Sequence, residues 1–258
     1  MGVINVTPDS FSDGGRFLDP KAAVAHAKAL VEEGADILDI GAESSRPGAR
    51  GVGAEEELSR LMPVLEGLAD CTAPVSVDTD KPEVMKAALA AGASMINDIG
   101  ALRAPGALAA VAASDAAICL MHMQGEPRTM QQSPSYGDVV GEVAAFLEER
   151  AAAARGAGIA RERIVVDPGF GFGKTVAHNF ELLRNLDRIA ALGLPVLAGW
   201  SRKSTLGAIT RRAADHRLAA SLAAALLAVE RGARIVRVHD VAATRDAFAV
   251  LAALEGNR

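Results

Sequence analysis

Cysteine is scarce in this chain: Cys71 and Cys119 are the only two among 258 residues, far apart and without metal-ligand spacing. That excludes a disulfide framework, and both residues read as free thiols of a protein in a reducing compartment. No uninterrupted apolar segment of about 20 residues occurs, so no membrane-spanning helix is expected. No secretory or transit leader opens the sequence. The Asn5-Val6-Thr7 sequon therefore carries no meaning, and a cytoplasmic protein is expected. Excess positive charge is also missing. Against 27 Lys and Arg stand 32 Asp and Glu, a net charge of −5. Nucleic acid is thus not the expected partner, because its binding needs a basic face. An anionic small substrate remains compatible, since a local Lys and Arg cluster can operate under a negative total. Linkers, low-complexity tracts and domain breaks are absent as well, which leaves one domain over residues 1–258.

What the chain does have is a repeated unit. Eight short apolar runs rich in Val and Ile occur at Met1–Val6, Ile37–Ile40, Val75–Val77, Met95–Ile96, Ile118–Met121, Ile164–Val166, Val196–Ala198 and Ile235–Val238. They do not alternate with polar residues, as expected for strands buried on both faces. Stretches rich in Ala, Leu, Glu and Arg separate them, and these are good helix formers. Helices are expected at Pro20–Glu33, Pro82–Ala91, Val139–Gly156, Glu181–Ala191 and Arg217–Arg231. Asp19 and Pro20 form a helix start, and Gly34, Gly92, Gly193 and Gly232 stand as stops. This alternation predicts an α/β fold, a single (β/α)₈ TIM barrel. In such a barrel the C-terminal strand ends form the rim where active sites are built. Asn5, Glu43, Asp78, Asn97, His122, Asp167, Ser201, Lys203, Arg237 and His239 sit at or just past those ends. Three long βα loops, Thr7–Asp19, Ser44–Ala54 and Met123–Gly137, share the rim and read as lids or binding loops.

Several local patterns carry chemistry. The stretch 5–15, NVTPDSFSDGG, is a polar loop that would read as solvated chain but for Phe11, an aromatic that suits a lid. In 43–48, ESSRPG, Pro47 keeps Arg46 extended. A guanidinium suits phosphate, although one arginine alone also reads as a solvated charge. Asp78, Asn97 and Asp167 end three strands. A carboxylate accepts two parallel hydrogen bonds from a ring N–H beside an exocyclic amino group, so together they could read a flat heterocycle. Each taken singly could instead cap the next helix. The stretch 167–174, DPGFGFGK, has the glycines of a phosphate loop without its spacing, because Pro168 stands five before Gly173. Lys203 in WSRKS could donate to ring atoms. Arg237 and His239 in VRVHD, two apart, could face one side as an anion site or serve a structural purpose.

With these residues in place the chain resembles the dihydropteroate synthase family of pterin-binding TIM barrels. The resemblance spans nearly the whole chain. It rests on NVTPDSFSDGG at 5–15, ESSRPGA at 43–49, SVDTDKPEV at 76–84, INDIGALR at 96–103, MHMQGEPRTMQ at 121–131, DPGFGFGK at 167–174, GWSRKS at 199–204 and VRVHDV at 236–241. It implies condensation of 6-hydroxymethyl-7,8-dihydropterin pyrophosphate with p-aminobenzoate, giving 7,8-dihydropteroate and pyrophosphate. Asp78, Asn97, Asp167 and Lys203 are then expected to hold the pterin, with Met121 near its ring. Asn5 is expected to ligate a Mg²⁺ that bridges to the pyrophosphate, and Arg46, Arg237 and His239 to bind that group. Phe11, Ser45, Pro47, Phe172, Lys203 and Ser204 match the p-aminobenzoate pocket, which sulfonamides also occupy. Asp13, on the first lid, is grouped with the substrate-binding residues. Asp167, Lys203, Arg237 and His239 are the implied catalytic set. A homodimer through later helices is implied too, compatible with the Ala/Leu-rich segments 218–229 and 247–254.

The chain departs from the family pattern in places. Ser45 stands where threonine is more usual, Asp80 where serine is common and Arg211 where glycine is common. Members usually carry residues ahead of the first strand, so the bottom of the barrel is expected to be less well covered here. Two alternatives stay open: a methyltetrahydrofolate-dependent methyltransferase and a catalytically silent pterin-binding homologue. The first would lack TPDSFSDGG, the SRK lysine and the terminal Arg-x-His. The second would have lost the first lid or the pyrophosphate residues.

Overall fold

The structure, a computed structural model, describes residues 1–7, 19–44, 51–254 and 256. The strands are β1 (Gly2–Asn5), β2 (Leu38–Gly41), β3 (Val75–Asp78), β4 (Met95–Asp98), β5 (Ala117–Met121), β6 (Ile164–Asp167), β7 (Val196–Ala198) and β8 (Ala233–Val236). They form one parallel sheet in chain order. A parallel bridge from Gly2 to Val238 closes it, through Val3 N donating to Val238 O at 3.0 Å and Val238 N to Met1 O at 2.9 Å. The helices are α1 (Pro20–Glu32), α2 (Ala54–Gly67), α3 (Pro82–Ala90), α4 (Ala107–Ala112), α5 (Val139–Gly156), α6 (Val176–Arg184), α7 (Leu186–Ala190), α8 (Ser204–Thr210), α9 (Leu218–Glu230) and α10 (Val241–Leu254). The expected TIM barrel is therefore the observed fold.

Local chemistry explains the element ends. Asp19 caps α1 by accepting from Lys21 N at 3.1 Å, and Pro20 opens the helix with the φ it already prefers. The helix expected at Glu181–Ala191 differs from the one observed. Thr175 and His178 form a reciprocal capping box that starts α6 earlier. Asn185 then leaves helical geometry, its side chain donating to Glu181 O at 2.9 Å, and α7 begins after it. The last strand also sits earlier than its apolar run, at Ala233–Val236.

The register sorts each strand into two faces. Ile4, Ile40 and Val77 are paired neighbours and pack outward on the helices, as do Ile96, Ile118, Leu120 and Ile164. The other face fills the barrel. Met1, Met95, Cys119, Val165 and Leu197 form an apolar cluster there, and Met1 is itself buried. Above this layer the interior positions turn polar: Asn5, Asp78, Asn97 and Asp167. Cys119 is buried and Cys71 half-buried, both free thiols.

One loop on the rim is held under backbone strain. Ala101 and Leu102 both have positive φ, 53° and 56°. Asp98 accepts from Gly100 N at 2.6 Å and from Leu102 N at 2.7 Å, while Arg150 of α5 donates to the carbonyls of Ala101 and Leu102 at 2.9 and 3.2 Å. Left-handed geometry is costly for residues with a Cβ, so it persists only where partners over-determine it. Arg150→Ala removes one of the two partners and both of its hydrogen bonds. It is expected to lower stability by about 1–3 kcal/mol in urea denaturation, and an unchanged midpoint would show that Asp98 suffices.

Candidate active site

Three strand-end polar residues from different strands converge on the C-terminal mouth. Asn97 and Asp167 are almost fully buried, and Asp78 keeps 19% of its side chain exposed. Asp78 and Asn97 are cross-strand neighbours, as are Met121 and Asp167. Parallel register thus places Asp78 and Asn97 side by side and an apolar methionine next to the second carboxylate. The Met121 side chain clusters with Met123, Met130, Ile99 and Phe172. Burial pushes the Asp78 carboxyl up to about 7, against the pull of the Arg237 guanidinium. Burial also raises Asp167, against its hydrogen bond from Gly169 N at 2.7 Å and the nearby lysines.

The stretch after β6 is shaped by two lysines. Lys174, itself buried, donates to the carbonyls of Gly169 and Phe172 at 3.0 Å each, and its Nζ lies 2.9 Å from His122 Nδ1. Burial lowers Lys174 to about 7, and burial with the adjacent lysine lowers His122 to about 3. A neutral imidazole can accept at Nδ1 from the Lys174 ammonium. From the other side, Lys203 Nζ donates to Phe170 O at 2.7 Å and sits 4.1 Å from the Phe172 ring centroid. Burial lowers Lys203 to about 8, partly offset by Asp167. Gly169 has φ +69°, and a Cβ there would lie 1.9 Å from His122 O, so only glycine lets the loop approach β5. Phe172 and Lys203 are therefore brought together by backbone that the glycines permit and the lysines fix.

The turn carrying Lys203 is braced in turn. Arg202 has φ 58° and is held by Asp240, with Nη2 at 2.6 Å, and by its own N–H to Ser221 Oγ at 3.0 Å. Arg217 donates to the carbonyls of Arg202 and Lys203 at 2.9 and 3.2 Å. Ser204 opens α8 at an exposed position.

The expected anion pair is divided between two neighbourhoods. Arg237 follows β8 and reaches inward, its Nε donating to Asp39 Oδ2 at 2.5 Å and its Nη2 to Asp78 Oδ2 at 3.1 Å. His239 Nδ1 lies 2.9 Å from Ser201 Oγ. Phe11, Asp13, Ser45, Arg46 and Pro47 lie outside the described residues. The third long loop is described: Gln124 and Ser135 hydrogen-bond reciprocally across it, and Tyr136 donates to Gly173 O at 2.7 Å. A cavity of about 260 Å³ opens beside Asp78 between Glu43, Thr79, Ile99 and Pro127.

Asn5 closes β1 at the same rim. Among the described residues no cluster of three or more His, Cys, Asp or Glu could cage a metal. Mg²⁺ does not need one, because it usually keeps several waters and takes few protein ligands besides substrate phosphates. The Asn5 amide carries an oxygen of the hard type that this ion takes.

Sequence reasoning missed Asp39, Lys174 and the Arg217–Ser221–Asp240 brace. Asp39 left a signal, a carboxylate inside an apolar strand run, where ionised groups are rarely buried unless paired. Lys174 left only its place in the glycine-rich motif. The brace left none, since it is assembled from distant segments.

Comparison with known proteins agrees with this geometry. The family model described as "Pterin binding enzyme" matches residues 1–239. The chain is 49% identical over 254 residues to the dihydropteroate synthase of Escherichia coli (strain K12), covering 98% of this chain and 90% of that one. A Yersinia pestis dihydropteroate synthase solved with a sulfonamide drug superposes with a TM-score of 0.97 at 45% identity, covering 99% of this chain and 94% of that one. A Burkholderia cenocepacia dihydropteroate synthase complexed with 7,8-dihydropteroate gives 0.91 at 52% identity, covering 99% and 91%. By fold, by the residues at its barrel mouth and by likeness along almost its whole length, the chain belongs to the pterin-binding enzyme family.

Proposed function

We propose that this chain catalyses the dihydropteroate synthase reaction, joining 6-hydroxymethyl-7,8-dihydropterin pyrophosphate to p-aminobenzoate with release of pyrophosphate. The observation that carries it is the meeting of Asp78, Asn97, Asp167 and Lys203 at one barrel mouth in a chain with close, nearly full-length dihydropteroate synthase relatives. The alternatives are less well supported: the lysine of WSRKS and the Arg-x-His after β8 are both present and both at the rim.

The chemistry is an alkylation at a CH₂ bearing a very good leaving group. The carbon–oxygen bond to pyrophosphate breaks, the aniline nitrogen attacks the pterin-stabilised cation, and that nitrogen then loses a proton. No strong base is required. Asp78, Asn97 and Asp167 accept from and donate to the pterin edge, and Lys203 donates to its ring atoms while stacked on Phe172. The buried carboxylates favour the developing cation, because the dry site amplifies their charge. In this reading Arg237 and His239 favour the departing anion from their two neighbourhoods at the rim. Mg²⁺, held by Asn5, would supply Lewis-acid stabilisation of the pyrophosphate. Phe11, Asp13, Ser45, Arg46 and Pro47 would complete the p-aminobenzoate and pyrophosphate contacts, and a sulfonamide would compete for the same pocket.

A homodimer is part of this reading. Leu218 and Leu227 of α9, Ile209 of α8 and Val250 of α10 are exposed apolar side chains on neighbouring units. Light scattering is expected to give twice the 26.6 kDa chain mass, and a monomer at micromolar concentration would end that part of the proposal.

The function is tested by pyrophosphate release from purified protein with the dihydropterin pyrophosphate and Mg²⁺. Release should depend on p-aminobenzoate and yield dihydropteroate; pterin binding without turnover would mark a silent homologue. Lys203→Ala should cut kcat/KM by about tenfold or more, as loss of a charged hydrogen bond implies, while its far-UV spectrum stays unchanged. Wild-type kinetics in that variant would remove Lys203 from the site.

The pH profile has a predictable sign. Asp78 must be ionised to accept from the pterin, and its pKa near 7 means that form is lost as pH falls through about 7. Lys203 must be protonated to donate, and that form is lost as pH rises through about 8. Free-enzyme groups govern kcat/KM, so it should peak between these values and fall on both sides. A flat profile from about pH 6 to about pH 9 would contradict both roles.

A further inference from the structure

Below the readers, inside the barrel, sits a carboxylate that the reaction described above does not use. Asp39 lies in the middle of β2, is 0% exposed, and is a cross-strand neighbour of Val3 and Ser76. Its Oδ2 accepts from Arg237 Nε at 2.5 Å and from Asn97 Nδ2 at 3.3 Å. Its Oδ1 is buried with no hydrogen-bond partner among the described residues. An ionised group there is costly unless paired, and an apolar residue of similar volume would cost less.

We infer that Asp39 is a positioning residue for pterin recognition: from beneath the pocket floor it fixes the Arg237 guanidinium and the Asn97 amide, and through them what Asp78 and Asn97 present to the ligand. The inference rests on reading Asp78 and Asn97 as the pterin readers. Two geometric arguments support it. A carboxylate only accepts, so the NH₂ end of the Asn97 amide must face Asp39, which turns its carbonyl oxygen away from Asp39. Arg237 spans two carboxylates, Asp39 by Nε and Asp78 by Nη2. A planar fork held at both points cannot rotate, whereas one held only by Asp78 could.

Sharing the guanidinium also sets the charge of Asp78. The groups facing Asp78 are Arg237 from the end of β8, Asp39 from β2, Glu57 from α2, Asp98 from β4 and Lys203 from the turn after β7. Arg237 favours the ionised form, and Asp39, Glu57 and Asp98 oppose it. Neutralising Asp39 removes one opposing charge and leaves Arg237 to Asp78 alone. The acidic limb of pterin binding should then move to lower pH, an effect that loss of packing would not produce.

The test is calorimetric binding of 6-hydroxymethyl-7,8-dihydropterin without its pyrophosphate, which separates recognition of the ring from any contact of Arg237 with phosphate. Asp39→Asn keeps the side-chain shape and one carbonyl acceptor while removing the charge. It should weaken binding by about tenfold, the scale of a lost charge-assisted hydrogen bond, and shift the acidic limb downward. The KM for p-aminobenzoate should stay within about twofold, because uniform binding of the second substrate is untouched. Arg237→Lys, which keeps the cation but cannot span both carboxylates, should weaken pterin binding as well and shift the limb upward. It serves alone if Asp39→Asn does not fold. The double variant should lose less than the product of the two single losses, as expected of residues acting through one contact. If Asp78→Asn abolishes pterin binding while Asp39→Asn and Arg237→Lys bind it within about twofold of wild type with an unmoved pH profile, Asp39 is structural and the inference falls alone. If Asp78→Asn itself binds normally, the reading of the site falls and takes the inference with it.

Discussion

Parallel register around a closed sheet is the constraint on which everything else rests. Once Gly2 meets Val238, each strand has one face on the helices and one in the barrel, and the choice cannot be made strand by strand. That is why Asp78 and Asn97 come side by side from segments joined by a helix, and why Met121 adjoins Asp167. The apolar layer of Met1, Met95, Cys119, Val165 and Leu197 closes the lower interior. Most polar side chains of the interior lie above it, at the mouth, and Asp39 and Ser76 are buried exceptions beneath them.

Burial at that mouth makes the electrostatics. Asp78 and Asp167 are pushed up and Lys203 and Lys174 down by the same cause, loss of water around a charge. Each group is kept from discharging by a neighbour of opposite sign: Arg237 for Asp78, Lys203 and Lys174 for Asp167. The outcome is a set of groups whose charge states lie close to neutrality and respond to what binds. The proposed reaction, with a neutral heterocycle, a cationic transition state and a leaving anion, would gain from such balance. Removing one member would leave its partner buried and unpaired, which commonly costs about 3–5 kcal/mol.

Rigid backbone supports these charges where side chains alone would not. The turn bearing Lys203 keeps a left-handed Arg202 because Asp240, Ser221 and Arg217 hold it. The glycine-rich loop after β6 is tied from within by Lys174 and from outside by Lys203, with Gly169 against the His122 carbonyl. Strain held at Arg202, and glycines that avoid it after β6, aim side chains at the mouth.

The sequence by itself determined the eight-fold alternation, the starts and stops of α1, α3, α5 and α9, and the identity of the strand-end polar residues. These are local: Asp19 caps and Pro20 opens because of their own side chains, and apolar runs mark strands through their own composition. It misplaced the start of α6 and missed the break at Asn185, where a capping box and a side-chain bond to the preceding turn outweighed the periodic pattern. Only the tertiary structure decided which charges meet. Arg237 and His239, two apart in sequence, take different partners, and Arg237 joins Asp39 and Asp78 from strands far away in the chain. No local signal encodes those pairings. They follow from closure and register, which bring together residues chosen by the sheet and not by their neighbours in sequence.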